Sequence, residues 1–311
     1  MEFESEALPL ASSAWTEDWR SESAALMHIS QTLSAFAEGR WMGSLLVQQL
    51  PDDTIALSNL STVLPLSPDQ QHAVRTQLLR QSVLMSQVAS PRYVRYLVDT
   101  RDVCVVQALA AAGFHSGGQV TKWRLLPKTP NVSRPAPAGF GFYGIDAAEL
   151  QQRPSWNFIP LSSSQLSEPH YTVSKDTLRG LLNNTLQHSI DLPQLPLPTA
   201  DQLLRLWELS RSTIRITLAV RNGSPAGLMA TSLVDEDGDG HGTELLIEYV
   251  GVLPDMRQNG IASALLTTGI RDMIPPHHVT AFAGSENGPA GGLYRRRGFT
   301  SRDTLCVWIA S

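Results

Sequence analysis

At 311 residues the chain is long enough for two domains, and its composition, 42% hydrophobic and 17% charged, is that of an ordinary folded protein. A net charge of −5 and a pI near 5.9 leave no basic excess to neutralise phosphates, which argues against a nucleic-acid partner. No apolar run reaches the length of a membrane span, and the acidic amino terminus is unlike a signal peptide, so the sequence predicts a cytoplasmic protein with no membrane partner.

The first half of the chain alternates helical and strand patterns. The apolar residues at helical spacing near its start are Leu26, Ile29, Leu33 and Phe36. This spacing predicts a helix over 23–36. The elements predicted after it are strands over 41–50 and 54–64, a helix over 70–88, a strand over 93–98, a helix over 103–112 and a strand over 120–126.

A proline-rich linker over 128–139 follows this half, and its prolines favour extended, exposed backbone. We therefore predict domains at 1–135 and 136–311. The elements predicted in the second domain are an extended segment over 139–146, a strand over 156–161, helices over 175–187 and 200–209, a hairpin of strands 214–220 and 225–234 across Asn222-Gly223, strands over 244–252, 278–283 and 303–309, and a helix over 262–273.

A strand–loop–helix segment over 247–262 carries the strongest functional signal. Pro254 ends the apolar strand, and an apolar helical pattern begins at Ile261. Gly260 and Ala262 leave the backbone N–H groups of the loop accessible at the helix N-terminus, where the helix dipole adds partial positive charge. A loop of this kind predicts a cradle for an anion such as pyrophosphate.

Three spaced motifs in this half resemble the signature of the GNAT N-acetyltransferase superfamily. They are Val252-x-Pro254, then Arg257-x-x-Gly260-x-Ala262, then Asn287-x-x-Ala290-x-x-Leu293-Tyr294-x-x-x-Gly298-Phe299. The resemblance covers about 216–310 and implies an α/β (α+β) fold, in which a mixed, mostly antiparallel central sheet carries helices on both faces. It also implies acetyl-CoA as co-substrate and a small-molecule or peptidyl amine as acceptor.

The resemblance assigns roles residue by residue. The residues that would contact acetyl-CoA are Val250, Gly251, Val252, Arg257, Gln258, Asn259, Gly260, Ile261, Ala262, Ser263, Asn287, Ala290 and Tyr294. In the family a bulge splays the catalytic strand from its neighbour, and we expect Gly251 to mark that bulge. The three arginines after Tyr294, residues 295–297, either face the 3′-phosphate of CoA or form a solvated helix end.

Acetyl transfer to an amine needs three groups, and the sequence offers a candidate for each. The backbone N–H of Val252 or Val250 would stabilise the oxyanion, and Tyr294 would be the acid for the departing thiol. The period-two pattern puts Glu248 on the same strand face as Glu244, Leu246, Val250 and Val252. Glu248 is therefore the candidate base, with Glu244 or a water-mediated route as alternatives.

The first half is predicted to be a degenerate copy of the same fold. Val63-Leu64-Pro65 matches Val252-Leu253-Pro254, and Gly113-Phe114 matches Gly298-Phe299. No glycine lies between Leu66 and Leu78, and Leu109 occupies the position of Tyr294. A loop without glycine cannot bring its amides as close to a pyrophosphate, so we expect this half to be structural.

Two further sets of polar residues are candidates for binding. The residues expected near the acceptor are Glu168, His170, Tyr171, His188 and Asp191, each of which has a simpler interpretation as a solvated loop residue. Asp235, Asp237 and Asp239 alternate as in a calcium loop, yet the twelfth position is Leu246 rather than glutamate. Two cysteines make neither a disulfide framework nor a zinc site, so no metal is predicted.

The tandem layout also resembles, more loosely, that of mycothiol synthase. The glutamate that this enzyme carries six residues before the last valine of V-x-P is Leu246 here, so its substrate does not carry over. Two functions remain: an acetyl-CoA-dependent N-acetyltransferase acting in a ternary complex, or a non-catalytic CoA-binding or assembly protein that retains the fold. The oligomeric state stays open, a homodimer included.

Overall fold

The computed structural model describes residues 30–37, 40–49, 54–63, 66–89, 93–126, 137–146, 155–161, 170–187, 189, 198–209, 214–235, 243–271 and 278–310. The chain divides into two compact units, one formed by the described parts of Met1–Gly118 with Leu305–Ser311 and the other by those of Gln119–Thr304. These units differ from the contiguous halves 1–135 and 136–311 expected from the sequence, because each takes in a strand from the other half. Most of the predicted linker lies outside the described residues.

The first unit contains a mixed sheet and two helices. Its strands are β1 (Ser30–Ala37), β2 (Arg40–Gln49), β3 (Thr54–Thr62) and β4 (Tyr93–Asp99), and its helices are α1 (Pro68–Ala89) and α2 (Val103–Ala111). Strand β3 runs parallel to β4, whereas β1–β2 and β2–β3 are antiparallel. The segment Leu305–Ala310 of the last strand, β13 (Thr300–Ala310), pairs antiparallel with β4. Both helices pack over one cluster that includes Leu45, Leu78, Leu109 and Ala310.

The predicted helix over 23–36 is wrong in the part that the structure describes, since 30–37 form β1. Leu33 and Ala35 are buried on one face, which is the period of a strand, and β2 supplies the backbone hydrogen bonds. The apolar residues of this segment are compatible with a helix or with a strand, and pairing with β2 determined that the strand forms. Residues 23–29 lie outside the described residues.

The second unit contains the larger sheet and four of the described helices. The elements are β5 (His115–Leu125, from residue 119), β6 (Phe140–Asp146), β7 (Ser155–Pro160), β8 (Tyr171–Ser174), α3 (Lys175–Leu186), α4 (Ala200–Leu209), β9 (Ile214–Arg221), β10 (Ser224–Asp235), β11 (Thr243–Val252), α5 (Ile261–Arg271), β12 (His278–Gly284) and α6 (Gly288–Arg296). Strand β8 was not predicted. The order is β5-β12-β11-β10-β9-β6-β7-β8, and only β11 and β12 pair in parallel.

Helices cover both faces of this sheet. Helices α3 and α4 pack on one face around Phe158 and Trp207, both fully buried. Helices α5 and α6 pack on the other face around Leu265 and Tyr294. Neighbouring residues of β10 point to opposite clusters, Leu228 to the first and Met229 to the second, as a pleated strand requires. The predicted mixed, mostly antiparallel sheet with flanking helices is therefore confirmed.

Candidate active site

Strand β11 contains a bulge at Glu248. Tyr249 lies opposite Ala230 and Ile247 lies opposite Thr231, so one extra residue is inserted on β11 between them. The bulge is therefore at Glu248 and not at Gly251, where glycine content had placed it. An inserted residue shifts the pleat by one position for everything that follows.

This shift changes which side chains share a face. Val250 and Val252 lie with Leu245 and Ile247 in the cluster under α5 and α6. The expectation that Val250 and Val252 share a face with Glu244, Leu246 and Glu248 is wrong, because it assumed an unbroken period of two. The residues beyond the bulge on the opposite face are Tyr249 and Gly251, which lie beside Thr185 of α3.

Beyond the bulge, β11 separates from β12. The parallel pairing runs from Glu244–His278 to Ile247–Ala281 and goes no further in the described residues, whereas β12 continues along β5 to Gly284. The Leu253 N–H donates to Ala226 O in β10, 3.0 Å away. Since N–H groups alternate along a strand, those of Val252 and Val250 point to the edge that β12 has left. This open edge presents backbone donors to a ligand.

Gly251 is required by its neighbours on the other face. A Cβ atom there would lie 2.7 Å from the Tyr249 ring and its hydroxyl, and 2.9 Å from the Thr185 Cβ. The Tyr249 hydroxyl donates to Thr185 Oγ1 at 2.7 Å, and Thr185 in turn donates to the carbonyls of Leu181 and Leu182. The glycine therefore allows Tyr249 to tie α3 to the bulged strand.

The loop after β11 has the backbone of an anion cradle. Gln258 and Gly260 both adopt positive φ, +65° and +78°. Asn259 donates its side-chain amide to Met256 O and Arg257 O, and Arg257 Nε donates to Val252 O, each at 3.2 Å. These bonds join groups of the turn to one another, and residues 257–260 remain exposed.

The first turn of α5 completes this cradle. The Ala264 N–H bonds to Gly260 O at 3.0 Å, and the N–H groups of Ile261, Ala262 and Ser263 precede this first helical bond. Together with the helix dipole they form a donor set suited to phosphate oxygens. The loop predicted to form the cradle, 257–262, leads directly into this turn, and Ser263 continues it.

Helix α6 carries Asn287, Ala290 and Tyr294. Asn287 caps the helix, with its Oδ1 accepting the Ala290 N–H at 3.0 Å. Tyr294 is buried, and its ring centroid lies 6.0 Å from that of Trp123 and 5.3 Å from that of Phe299. Trp123 belongs to β5 and was missed by sequence reasoning: the strand was predicted, but nothing in the sequence pairs it with β12.

The two candidate bases have different surroundings. Glu248 is exposed at the bulge, and the Ser232 hydroxyl donates to its carboxylate at 2.6 Å. Glu244 is largely buried, and its carboxylate lies 3.2 Å from His278 Nε2, which is also 2.8 Å from Arg124 Nη2. At about 3.3 Å per residue, Glu244 lies about 20 Å along the strand from Val250. Only Glu248 is at the splayed part of the strand.

Of the residues expected near the acceptor, only two lie within the described structure. The Tyr171 hydroxyl donates to Gly223 O in the β9–β10 turn at 2.8 Å, and partial burial raises the pKa of this phenol. Its ring also packs against Tyr143, with centroids 5.4 Å apart. His170 is exposed immediately before β8. The other three, Glu168, His188 and Asp191, lie outside the described residues.

The corresponding helix of the first unit begins differently. Ser67 Oγ accepts the Gln70 N–H at 3.2 Å, and Gln70 Oε1 accepts the Ser67 N–H at 3.0 Å, which is a capping box. Pro68 has no N–H, and Asp69 adds a negative charge to this turn. The start of α1 is therefore closed by its own side chains, whereas the start of α5 is open.

The helices α2 and α6 end in the same way, which supports the match between the halves. The Phe114 N–H bonds to Leu109 O and the Phe299 N–H bonds to Tyr294 O, both at 3.0 Å, across glycines of positive φ. Leu109 thus occupies the position of Tyr294 and is fully buried in the core of its unit.

Within the described residues, no group of three or more His, Cys, Asp or Glu side chains could hold a metal ion. The described helices include none that is long and apolar enough to cross a membrane.

The segment that carries the candidate site is similar to a known family. Residues 183–299 match the acetyltransferase (GNAT) family, and this range contains the bulged strand, the cradle and α6. This match covers fewer than half of the residues of the chain. No curated protein matches the chain.

The tandem fold is shared with solved structures. A tandem GNAT protein from the clavulanic acid biosynthesis pathway has a TM-score of 0.57 at 15% identity, over 91% of this chain and 83% of its own. The GCN5-related N-acetyltransferase from Sphaerobacter thermophilus has a TM-score of 0.58 at 15% identity, over 94% and 83%. A GCN5-related N-acetyltransferase from Kribbella flavida has a TM-score of 0.52 at 14% identity, over 86% of this chain and 87% of its own. The chain therefore has a tandem GNAT fold, with its GNAT-family match in the second half.

Proposed function

We propose that the chain is an N-acetyltransferase that moves an acetyl group from acetyl-CoA to a primary amine of a small molecule or peptide in a ternary complex. One arrangement carries this conclusion. The open edge of β11 at Val250 and Val252 leads directly into the cradle that begins at Arg257 and ends in the first turn of α5. An extended thioester arm and a pyrophosphate need these two surfaces, in this order.

The residues present fit acetyl-CoA. Gly260 has a left-handed backbone at the start of α5, and the N–H groups of the first turn have no helical acceptor. Acetyl-CoA would supply the activated acetyl thioester. The residues that would hold it are Val250, Gly251, Val252, Arg257, Gln258, Asn259, Gly260, Ile261, Ala262, Ser263, Asn287, Ala290 and Tyr294. Gly251 would act through the backbone, since Tyr249 and Thr185 fill the space beside it.

Three groups of the chain would then stabilise the developing charge and transfer the protons. The N–H of Val252 or Val250 donates a hydrogen bond where negative charge develops on the carbonyl oxygen. Glu248, exposed at the bulge and oriented by Ser232, takes a proton from the acceptor ammonium, directly or through water. The Tyr294 hydroxyl donates the proton that the departing sulfur takes up. Its ring is fixed by Trp123 and Phe299.

We assign catalysis to the second half and a structural role to the first. The capping box at Ser67–Gln70 closes the helix start that would correspond to the cradle. Leu109 has no hydroxyl to serve in place of Tyr294. Asp69 in the same turn would also repel a phosphate.

Calorimetric titration with acetyl-CoA, followed by an acceptor screen that reads released thiol, tests this function. We expect one site per chain, abolished by Gly260→Glu. Gly223→Glu is the matched control, since it places the same charge at a glycine of similar φ, +73°, in the β9–β10 turn. Binding without turnover of any amine would favour a CoA-binding protein, two sites would contradict the silent first half, and no binding would refute the proposal.

A further inference from the structure

Arg297 differs from the two arginines that precede it. Arg295 and Arg296 are exposed on the last turn of α6, whereas Arg297 is only 4% exposed. This burial excludes one interpretation of Arg297 made from the sequence, a solvated helix end. Removing a guanidinium from water costs free energy unless its donors and its charge are compensated.

The Arg297 side chain reaches the cradle. Its Nε–H donates to Ser263 Oγ in the first turn of α5, while its backbone N–H closes the end of α6 on Leu293 O and Tyr294 O. The Ser263 carbonyl is also engaged, accepting from Thr267 Oγ1 at 3.0 Å. Ser263 Oγ acts as an acceptor toward Arg297, so its own hydroxyl proton is available to a further acceptor.

We infer that Arg297 is a positioning residue for the pyrophosphate of acetyl-CoA, acting through Ser263. The guanidinium holds Ser263 Oγ from behind, so that its hydroxyl donates to a phosphate oxygen in the cradle, and its positive charge strengthens this donor. This inference rests on the proposed function and adds that α6, which carries Tyr294, is tied to the cradle by this bond.

A purely structural role for Arg297 makes a different prediction. If the bond only fastened α6 to α5, its loss would affect every acetyl donor to the same extent. If it positions Ser263 for phosphate, the loss depends on whether the donor contains a pyrophosphate. Two donors separate these cases: 3′-dephospho-acetyl-CoA, which keeps the pyrophosphate but cannot report a 3′-phosphate contact, and S-acetylpantetheine, which has neither.

The experiment measures kcat and KM of the full chain with both donors for Arg297→Met and Ser263→Ala. With 3′-dephospho-acetyl-CoA we expect KM to rise about tenfold in each variant, the size of one charge-assisted hydrogen bond. With S-acetylpantetheine we expect less than about a twofold change. The double variant should lose no more than Arg297→Met alone, because both changes break one linkage.

Arg296→Met is the matched control, since it removes the same charge from the exposed neighbour. Equal losses with both donors, an unchanged KM in Ser263→Ala, or an equal loss in Arg296→Met would each overturn the inference. Ser263→Ala decides the matter if Arg297→Met does not fold. If the wild-type chain neither binds nor uses acetyl-CoA, the proposed function itself fails; if it uses 3′-dephospho-acetyl-CoA and the variants match it, only the role of Arg297 fails.

Discussion

Trp123 and Tyr294 pack with their ring centroids 6.0 Å apart and their planes inclined at 36°, although they lie in different halves of the sequence. A Cβ atom added at Gly291 would lie 3.2 Å from the Trp123 ring, and the Arg295 guanidinium lies 5.8 Å from the centroid of that ring. The strand that carries it, β5, pairs with β12 from Gln119 onward and belongs to the second unit. One aromatic neighbour of Tyr294 is therefore supplied by the first half of the sequence.

This packing predicts that Trp123→Ala destabilises the second unit. Removing a buried tryptophan costs about 3–5 kcal/mol, and Tyr294 would lose its ring contact. Denaturant unfolding measures the loss, and turnover measures the effect on Tyr294. Trp41→Ala is the matched control, because Trp41 is 44% exposed and its removal should cost less than about 1 kcal/mol. Equal losses of stability in the two variants would contradict this packing role of Trp123.

Tyr294→Phe separates chemistry from packing. The ring contacts with Trp123 and Phe299 are retained, so stability and acetyl-CoA affinity should change little. Loss of the proton donor should lower kcat by about a hundredfold. Calorimetry and steady-state kinetics on the same preparation give both quantities. A parallel loss of binding and turnover would show that the hydroxyl is not the acid.

Glu248→Gln tests the base. If Glu248 takes the proton, the wild-type rate rises with pH as the carboxylate ionises, and the amide variant should lack this rise. The change removes only the titrating group and keeps a hydrogen-bond acceptor for Ser232. An unaltered pH–rate profile would exclude Glu248 in favour of the water-mediated route.

Glu244→Gln serves as the counterpart on the same strand. Glu244 is largely buried, with its carboxylate 3.2 Å from His278 Nε2, so Glu244→Gln should change the free energy of unfolding by more than Glu248→Gln does at the exposed bulge. The pH dependence of the remaining activity should be retained, since this residue is far from the bulge. Loss of the alkaline rise in this variant alone would make Glu244 the base.

Gly251→Ala tests the packing beside the open edge. The new Cβ would lie within 3 Å of Tyr249 and Thr185, and relief of this clash should cost about 1–3 kcal/mol and weaken acetyl-CoA binding. Gly180→Ala in α3 is the control, because no atom lies within 4 Å of its added Cβ and helix propensity should stabilise it by about 1 kcal/mol. Thermal unfolding of the pair should therefore shift in opposite directions.

Several features could be predicted because they depend on a few consecutive residues. The hairpin at Asn222-Gly223 follows from turn chemistry, and both residues have positive φ as that turn requires. The cradle at 257–263 follows from Gly260 and the helix start at Ile261. The cap at Asn287 and the helix end at Gly298 belong to the same class.

Other features depend on which strands pair and in what register. The bulge at Glu248 was placed wrongly because glycine content marks where a bulge is tolerated, while the pairing with β10 decides where it forms. A shift of one residue then exchanged the faces of Val250 and Val252. The burial of Arg297 likewise depends on the approach of α6 to α5 and has no local signal.

The sequence by itself determined the strand–loop–helix segment, the two-fold repetition of the fold and the position of Tyr294, because short-range spacing and backbone preference specify each of them. Only the tertiary structure decided that β5 and its Trp123 complete the second unit, that Leu305–Ala310 complete the first, and that Glu248 rather than Glu244 lies at the splayed edge. The physical reason is that hydrogen-bond pairing between distant strands sets these neighbours, and the same local pattern is compatible with more than one partner.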